Sequence, residues 1–387
     1  MVSRALMTQF LSACPILPPK DNALGQVADE TGQTWLQVKA DQAKAVQLAI
    51  YDQVYDFKKN DVGIWRLAYP MSDGITMVQL RIDEQDVLTP YLPIGYGYSR
   101  PYNYVALDTD EASFYDLADV PHGTIHHEYL KSQVTGNWER CLVYTPPGYE
   151  AQTDTSYTVL YLQHGHGENE IGWTSQGKVN FILDNLLAKG TCKPFIVVMS
   201  NGMVQVTDAS GQTVVDHTLF ESYLLKDVIP TMEGKYRIIG DRDNRAMAGL
   251  SMGSIQTSVV TFNHPELFSQ VGLFSGFLHD FIQGHALMDM VKRDPSDNAH
   301  LMMLTDANRF LTDYDVFFRA IGEQDIFIAE FEADNVLLDS KNILDHRNLY
   351  KGGHDWNVWR KCIRDFAPLL FQDSAHKKHK STDKREK

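Results

Sequence analysis

The sharpest chemical signal in the chain is the pentad Gly249-Leu250-Ser251-Met252-Gly253. A serine framed by glycines in this way suits a tight strand-to-helix turn. The turn strains the serine backbone, so only small neighbours fit around it. In return the hydroxyl stands clear at the end of a sheet, and a helix N-terminus beneath it favours developing negative charge. The pentad alone is a weak motif, and its flanks strengthen it. Arg245-Ala246-Met247-Ala248 reads as strand, and Ile255 to Phe262 reads as helix, ended by Asn263-His264-Pro265. The competing reading is a glycine-rich turn with an idle serine.

A serine hydroxyl is a poor nucleophile without a base. Gly352-Gly353-His354-Asp355-Trp356 supplies a candidate, on a loop after the strand-like Asn348-Leu349-Tyr350. The glycines let that loop turn sharply and present the imidazole of His354. An acid is expected between the two, after another strand. Phe317 to Gly322 has strand character and runs into Glu323-Gln324-Asp325. Asp325 is the residue expected to orient His354 and stabilise its imidazolium. Glu323 is the nearest alternative, and Asp313, Asp315 and Asp334 are read as surface carboxylates without a function. Asp355 adjoins His354 in sequence and is poorly placed to reach the inner ring nitrogen.

Attack on a carbonyl leaves an oxyanion that needs two donors. The amide of Met252, next after the serine, is one. The second is expected in Gln163-His164-Gly165-His166-Gly167, with the amide of His166 favoured and Gly165 as its neighbouring alternative. The side chains of His164 and His166 invite a metal reading. Two histidines at i, i+2 with no third ligand nearby are better read as structural, so no metal is expected.

These residues need a scaffold. From about residue 125, strand-like runs at Thr158–Leu162, Phe195–Met199, Arg245–Leu250, Val271–Phe274, Val316–Ile321 and Asn348–Tyr350 alternate with helical patterns at Val179–Ala188, Leu219–Tyr236 and Ser254–Phe262. Such alternation predicts an α/β fold, a mostly parallel sheet with helices on both faces. Residues 1–105 differ. Short runs of period two, such as Thr76 to Ile82, predict a small antiparallel β-sandwich. The Pro- and Tyr-rich stretch from Pro90 to Tyr104 reads as an extended connector. The expected organisation is a sandwich at 1–105, a linker at 106–124 and an α/β domain at 125–373. A lid-like insert is expected at about 277–314, and a disordered basic tail at 374–387.

Composition narrows the partners. The 387 residues are 43% hydrophobic, enough for a sizeable core, and carry a net charge of −15. Like charges repel, which argues against nucleic acid or an anionic membrane surface. The four cysteines are scattered, with no CxxC pair, and suggest neither a zinc site nor a disulfide framework. Leu11-Ser12-Ala13-Cys14 looks like a lipoprotein cleavage box, but the apolar stretch before it is short and interrupted, so a cytoplasmic location is expected. A small-molecule ester is the expected partner, and a homo-oligomer is left open.

Together these segments resemble the feruloyl esterase and esterase-D-like group of α/β-hydrolases. The resemblance rests on Val120-Pro121-His122-Gly123-Thr124, Arg140 to Tyr149 (RCLVYTPPGY), Val159 to Gly165 (VLYLQHG), Asp227 to Pro230, Asn244 to Gly253 (NRAMAGLSMG) and Gly352 to Arg360 (GGHDWNVWR). It implies catalytic roles for Ser251, Asp325 and His354, no cofactor, and hydrolysis of a carboxylic ester through an acyl-enzyme. It also implies an early-set immunoglobulin-like module before the hydrolase domain. Two positions depart from the pattern. Ser254 stands where a second glycine usually follows the elbow, and His166 stands where a small or apolar residue is usual. Hydroxycinnamoyl esters are the expected substrates, with Trp173, Phe277 and Trp356 as an aromatic wall. A siderophore esterase, a small-acyl esterase and a glycan-binding protein with an inactive esterase domain are the alternatives.

Overall fold

In the computed structural model, residues 24–71, 74–107, 114–278, 310 and 313–372 are described. The chain divides into two compact units. The first holds the residues up to Leu117 with Thr174–Gln176, and the second holds the rest.

The first unit is built from two antiparallel sheets. One runs Gly25–Ala28, Thr34–Lys39, Ile64–Ala68, Lys58–Lys59. The other runs Gln53–Asp56, Val46–Ile50, Gly74–Ile82, Arg100–Leu107, Ile94–Gly97, with Gln85–Val87 paired to Gly74–Ile82. Period-two alternation sends Leu36, Val38 and Trp65 of one sheet and Val46, Leu48, Val78 and Leu80 of the other into one shared core. The stretch from Pro90 to Tyr104 is not a connector, as its composition suggested. It contributes a hairpin, in which Ile94–Gly97 pairs with Arg100–Leu107 and the turn places Tyr98 and Ser99 at positive φ. Asn103 explains how a Pro- and Gly-rich stretch is held. Its buried side chain donates to the carbonyls of Thr89 and Leu92 and accepts from the Thr89 amide.

The second unit carries an eight-stranded sheet. Its strands are β1 (Thr124–Lys131), β2 (Trp138–Thr145), β3 (Thr158–Gln163), β4 (Phe195–Ser200), β5 (Arg245–Leu250), β6 (Gln270–Phe274), β7 (Val316–Gly322) and β8 (His346–Tyr350). They lie in the order β1-β2-β4-β3-β5-β6-β7-β8. The hairpin β1–β2 and the pair β2–β4 are antiparallel, and every pair from β4–β3 onward is parallel. The described crossover helices are α1 (Val179–Ala188), α2 (Phe220–Tyr223), α3 (Ile229–Lys235), α4 (Met252–Asn263) and α5 (Ile328–Ser340), and α6 (Trp356–Phe366) follows β8. The run β3 to β6 is apolar on both faces, as a sheet covered on both sides requires. Cys141, Val143, Val159, Tyr161, Ile196, Val198 and Met247 point to one face, where they meet Phe220, Tyr223, Val228, Met232 and Val260. Helices α1 and α6 contact each other.

The helix expected over Leu219–Tyr236 is interrupted. Leu224–Val228 is a π-helical turn between α2 and α3, and the Ile229 amide donates to the Leu224 carbonyl. Pro230 gives the physical reason. Its ring has no N–H and crowds the carbonyl four residues earlier, and one widened turn removes the clash. The insert expected at about 277–314 and the tail at 374–387 lie almost wholly outside the described residues.

Candidate active site

Ser251 sits between β5 and α4 with φ 51° and ψ −118°. A side chain rarely adopts this backbone conformation, and it marks a constrained turn. The glycines of the pentad are there because nothing larger fits. A Cβ on Gly249 would lie 2.3 Å from the Gly253 carbonyl oxygen, and one on Gly253 would lie 2.5 Å from that of His164. The Ser251 amide donates to Phe274 at the end of β6, and its carbonyl accepts from Ser254 and Ile255 in the first turn of α4. Ser254 is accommodated opposite another small residue. A Cβ on Gly276 would fall 2.1 Å from its hydroxyl oxygen.

His354 bridges Ser251 and Asp325. Its Nε2 lies 2.9 Å from Ser251 Oγ, and its Nδ1 lies 2.9 and 3.0 Å from the two carboxylate oxygens of Asp325. Short turns deliver both partners. After β7, Glu323 and Gln324 donate their amides to the carbonyls of Tyr350 and Gly352, and the Asp325 amide closes back on Gly322. Gly352 has φ 133°, and a Cβ on Gly322 would strike its carbonyl oxygen at 2.4 Å. Asp355 does not approach the ring, since its carboxylate caps α6 by accepting from Asn357 and Val358. Glu323 is exposed and takes no part.

The electrostatics match this geometry. Burial raises the Asp325 carboxyl, but the hydrogen bond and charge of His354, the Phe327 amide and the Ser275 hydroxyl outweigh it and hold it below its ordinary 3.8. The carboxylate is therefore ionised where a proton on His354 needs a counter-charge. Two rings meet the imidazole edge-to-face, Phe327 at 5.2 Å and Trp359 at 5.1 Å between centroids.

The loop after β3 lies close to the serine. A Cβ on Gly165 would sit 3.5 Å from Ser251 Cβ. The Gly165 amide already donates to Glu168 at 3.0 Å. Among the described residues the amides of His166 and Met252 have no acceptor. Buried His164 holds the loop in shape. Its Nε2 accepts the Gly202 amide at 2.8 Å, so Nδ1 carries the proton and donates it to the Gly165 carbonyl at 2.8 Å. Burial drives its pKa below the ordinary 6.5, which keeps the ring neutral. The exposed His166 ring lies 5.7 Å from that of His217.

The expected aromatic wall is corrected. Trp173 is 1% exposed, donates its indole N–H to the Gln163 carbonyl and packs on Trp356 and Phe274. Phe277 is also 1% exposed and packs on Ile255, Val259 and Phe327. Trp356 is 6% exposed and gives its N–H to Glu168. All three belong to the packing that supports the site, and their faces are spent on protein neighbours. Asp334 is no surface carboxylate either. It is fully buried, paired with Arg319 at 3.0 Å, and accepts the Leu278 amide. Ser275, Glu168 and Trp359 were not singled out from the sequence, where only the small pair Ser275-Gly276 after β6 hinted at a crowded turn.

A central parallel sheet, an antiparallel hairpin at one edge and a serine elbow after the fifth strand define an α/β-hydrolase. Comparison with known proteins narrows the class. Residues 132–368, more than half of the chain, match the family described as "Putative esterase", and the chain belongs to that esterase family. An endo-1,4-beta-xylanase/feruloyl esterase of Xylanibacter ruminicola is 32% identical over 389 residues, covering 96% of this chain and 50% of that protein. An endo-1,4-beta-xylanase Y of Acetivibrio thermocellus is 25% identical over 254 residues, covering 60% of this chain and 22% of that one. The chain thus spans half or less of the length of these relatives. The ferulic acid esterase of Anaeromyces mucronatus superposes with a TM-score of 0.52 at 21% identity, over 66% of this chain and 93% of its own. The enterobactin esterase of Shigella flexneri superposes with a TM-score of 0.60 at 14% identity, over 91% of this chain and 97% of its own. At these identities the two structures speak for the fold.

Proposed function

We propose that this chain hydrolyses carboxylic esters through an acyl-enzyme on Ser251, and that its substrates are hydroxycinnamoyl esters. The observation that carries the reading is the His354 imidazole, within hydrogen-bond reach of both Ser251 and Asp325. His354 takes the Ser251 proton as the oxygen attacks the ester carbonyl, whose electron pair moves onto oxygen. The amides of Met252 and His166 receive that oxyanion at the N-terminus of α4. Collapse of the intermediate expels the alkoxide, which His354 protonates. Water, deprotonated by the same ring, then releases the acid and restores Ser251. Asp325 fixes the tautomer and balances the imidazolium. No step calls for a cofactor.

The aromatic acyl group is supported by the 32% identical relative named as a feruloyl esterase. A siderophore ester is the second reading, supported by the likeness to the enterobactin esterase over 91% of the chain. The net charge of −15 argues against so anionic a substrate. The two-sheet first unit is read as an early-set immunoglobulin-like module with a structural role.

Turnover of methyl ferulate, chlorogenate and p-nitrophenyl acetate, beside Ser251→Ala, tests the reading. Cleavage of the phenolic esters, abolished in the variant, is expected. Cleavage of acetate alone would discard the phenolic substrates, and hydrolysis of an iron-free catecholate trilactone alone would favour the siderophore reading.

A further inference from the structure

We propose that His166 and His217 form a binding site for a zinc-type divalent cation on the loop beside Ser251, and that an ion held there slows ester hydrolysis. The site stands on the two imidazoles alone, whereas the effect on turnover rests on the hydrolase reading given above. The sequence pairs His166 with His164, but His164 is already engaged. Its Nε2 accepts the Gly202 amide and its Nδ1 donates to the Gly165 carbonyl, so both ring nitrogens are used within the protein. The fold supplies a different histidine. His217 lies in the short 3-10 turn that leads into α2, and its ring centre is 5.7 Å from that of His166, with the ring planes tilted by 42°.

Three observations point to a metal. The first is the separation. A zinc ion bound to one nitrogen of each ring lies about 3.2 Å from each ring centre, and centres 5.7 Å apart then subtend roughly 125° at the ion, near a tetrahedral angle. The second is an orphan atom. His217 is half-buried, and its Nδ1 is hidden from water with no hydrogen-bond partner among the described residues. A polar atom left in that state costs free energy that a ligand recovers. The His166 ring is exposed and can turn, so an ion can enter between the two. The third is charge. A metal needs neutral imidazole, and burial together with the nearby charge of His166 holds His217 below its ordinary 6.5. The net charge of −15 also draws cations to the surface. Among the described residues no cluster of three His, Cys, Asp or Glu could hold a metal. The ion therefore keeps two positions for water, as an exchangeable ion does, and no step of hydrolysis uses it. Gly165 precedes His166, and a Cβ on it would lie 3.5 Å from Ser251 Cβ. The His166 backbone is thus within about 9 Å of the Ser251 side chain. An ion on the His166 ring stands beside the nucleophile and restrains the loop that carries the proposed oxyanion amide.

The test titrates the metal-free full chain with Zn²⁺ against a fluorescent zinc indicator, which reads binding without turnover. The wild-type chain is expected to bind zinc, and His166→Ala and His217→Ala should each weaken that binding by at least about tenfold. His217→Gln, which keeps much of the ring's volume, should lose the ion as His217→Ala does. Zn²⁺ should raise the melting temperature of the wild-type chain and leave that of the variants in place. Mg²⁺, which prefers oxygen ligands, should bind none of them at this site. Hydrolysis of p-nitrophenyl acetate is then followed with and without Zn²⁺, each protein against its own metal-free rate. The wild-type chain should slow and recover on chelation, and the variants should not respond. No zinc binding, or binding undiminished in either alanine variant, would overturn the site. Zinc bound at these two residues with hydrolysis unslowed would overturn its effect on turnover. If the wild-type chain turns over no ester, the hydrolase reading fails by itself, and the indicator titration still decides whether His166 and His217 hold the ion.

Discussion

Glu168 accepts the indole N–H of Trp356 at 2.9 Å with one carboxylate oxygen while the other accepts the Gly165 amide at 3.0 Å. This carboxylate therefore couples the loop beside Ser251 to the helix that begins just after His354. It also takes up the Gly165 amide, while the neighbouring His166 amide has no acceptor among the described residues.

Glu168→Gln keeps the shape but offers one acceptor oxygen to two N–H donors. One donor is then left facing an amide N–H₂, at a cost of about 1–3 kcal/mol. The expected result is a fall in kcat of about tenfold to a hundredfold with a small change in KM, measured by steady-state hydrolysis of p-nitrophenyl acetate.

The elbow glycine leaves no room for a methyl group. Gly253→Ala places a Cβ 2.5 Å from the His164 carbonyl oxygen and 2.8 Å from that of Gln163. Backbone cannot yield as a flexible side chain does, so the variant should lose nearly all turnover and melt several degrees lower by calorimetry. A fully active variant would contradict the geometry of this turn.

How much of this was legible in the sequence depends on how far apart the partners stand. Ser251, His354 and Asp325 each follow a strand, and motif and order sufficed to select them. Glu168 was not legible, because it meets Trp356 188 residues away. Ser275 was hidden for the same reason, with Trp359 84 residues distant. Aromatic residues near a site suggest a ligand, which is why Trp173, Phe277 and Trp356 read as a pocket wall, but their rings, and the N–H groups of the two tryptophans, meet protein neighbours. The Pro90–Tyr104 hairpin was missed because prolines and glycines broke the period-two pattern that its strands otherwise follow.

Acidification should destabilise the fold through two histidines, His164 and His217. Burial depresses the folded pKa of His164 below 6.5, and burial with the nearby charge of His166 does the same to His217. The unfolded chain then binds more protons than the folded one. Stability from these groups is complete above about pH 6.5 and is lost as pH falls toward their folded values. Melting temperature should drop between pH 7 and pH 5, and His164→Gln should flatten part of that slope even if it melts lower overall.

The Arg319 guanidinium is 1% exposed, and the carboxylates of Asp334 and Asp345 neutralise it at 3.0 and 3.3 Å. Asp334→Ala removes one partner from a buried cation and frees the Leu278 amide, which should cost about 3–5 kcal/mol in urea unfolding. Asp334→Asn keeps an acceptor for that amide and should lose less.

The proposed role of His354 is to make Ser251 the nucleophile. A fluorophosphonate ester, which phosphonylates an activated serine, tests it directly when the product is mapped by peptide mass spectrometry. One adduct is expected, on Ser251, formed far more slowly in His354→Ala and absent in Ser251→Ala. An adduct on another residue, or labelling of Ser251 at an undiminished rate without His354, would contradict it.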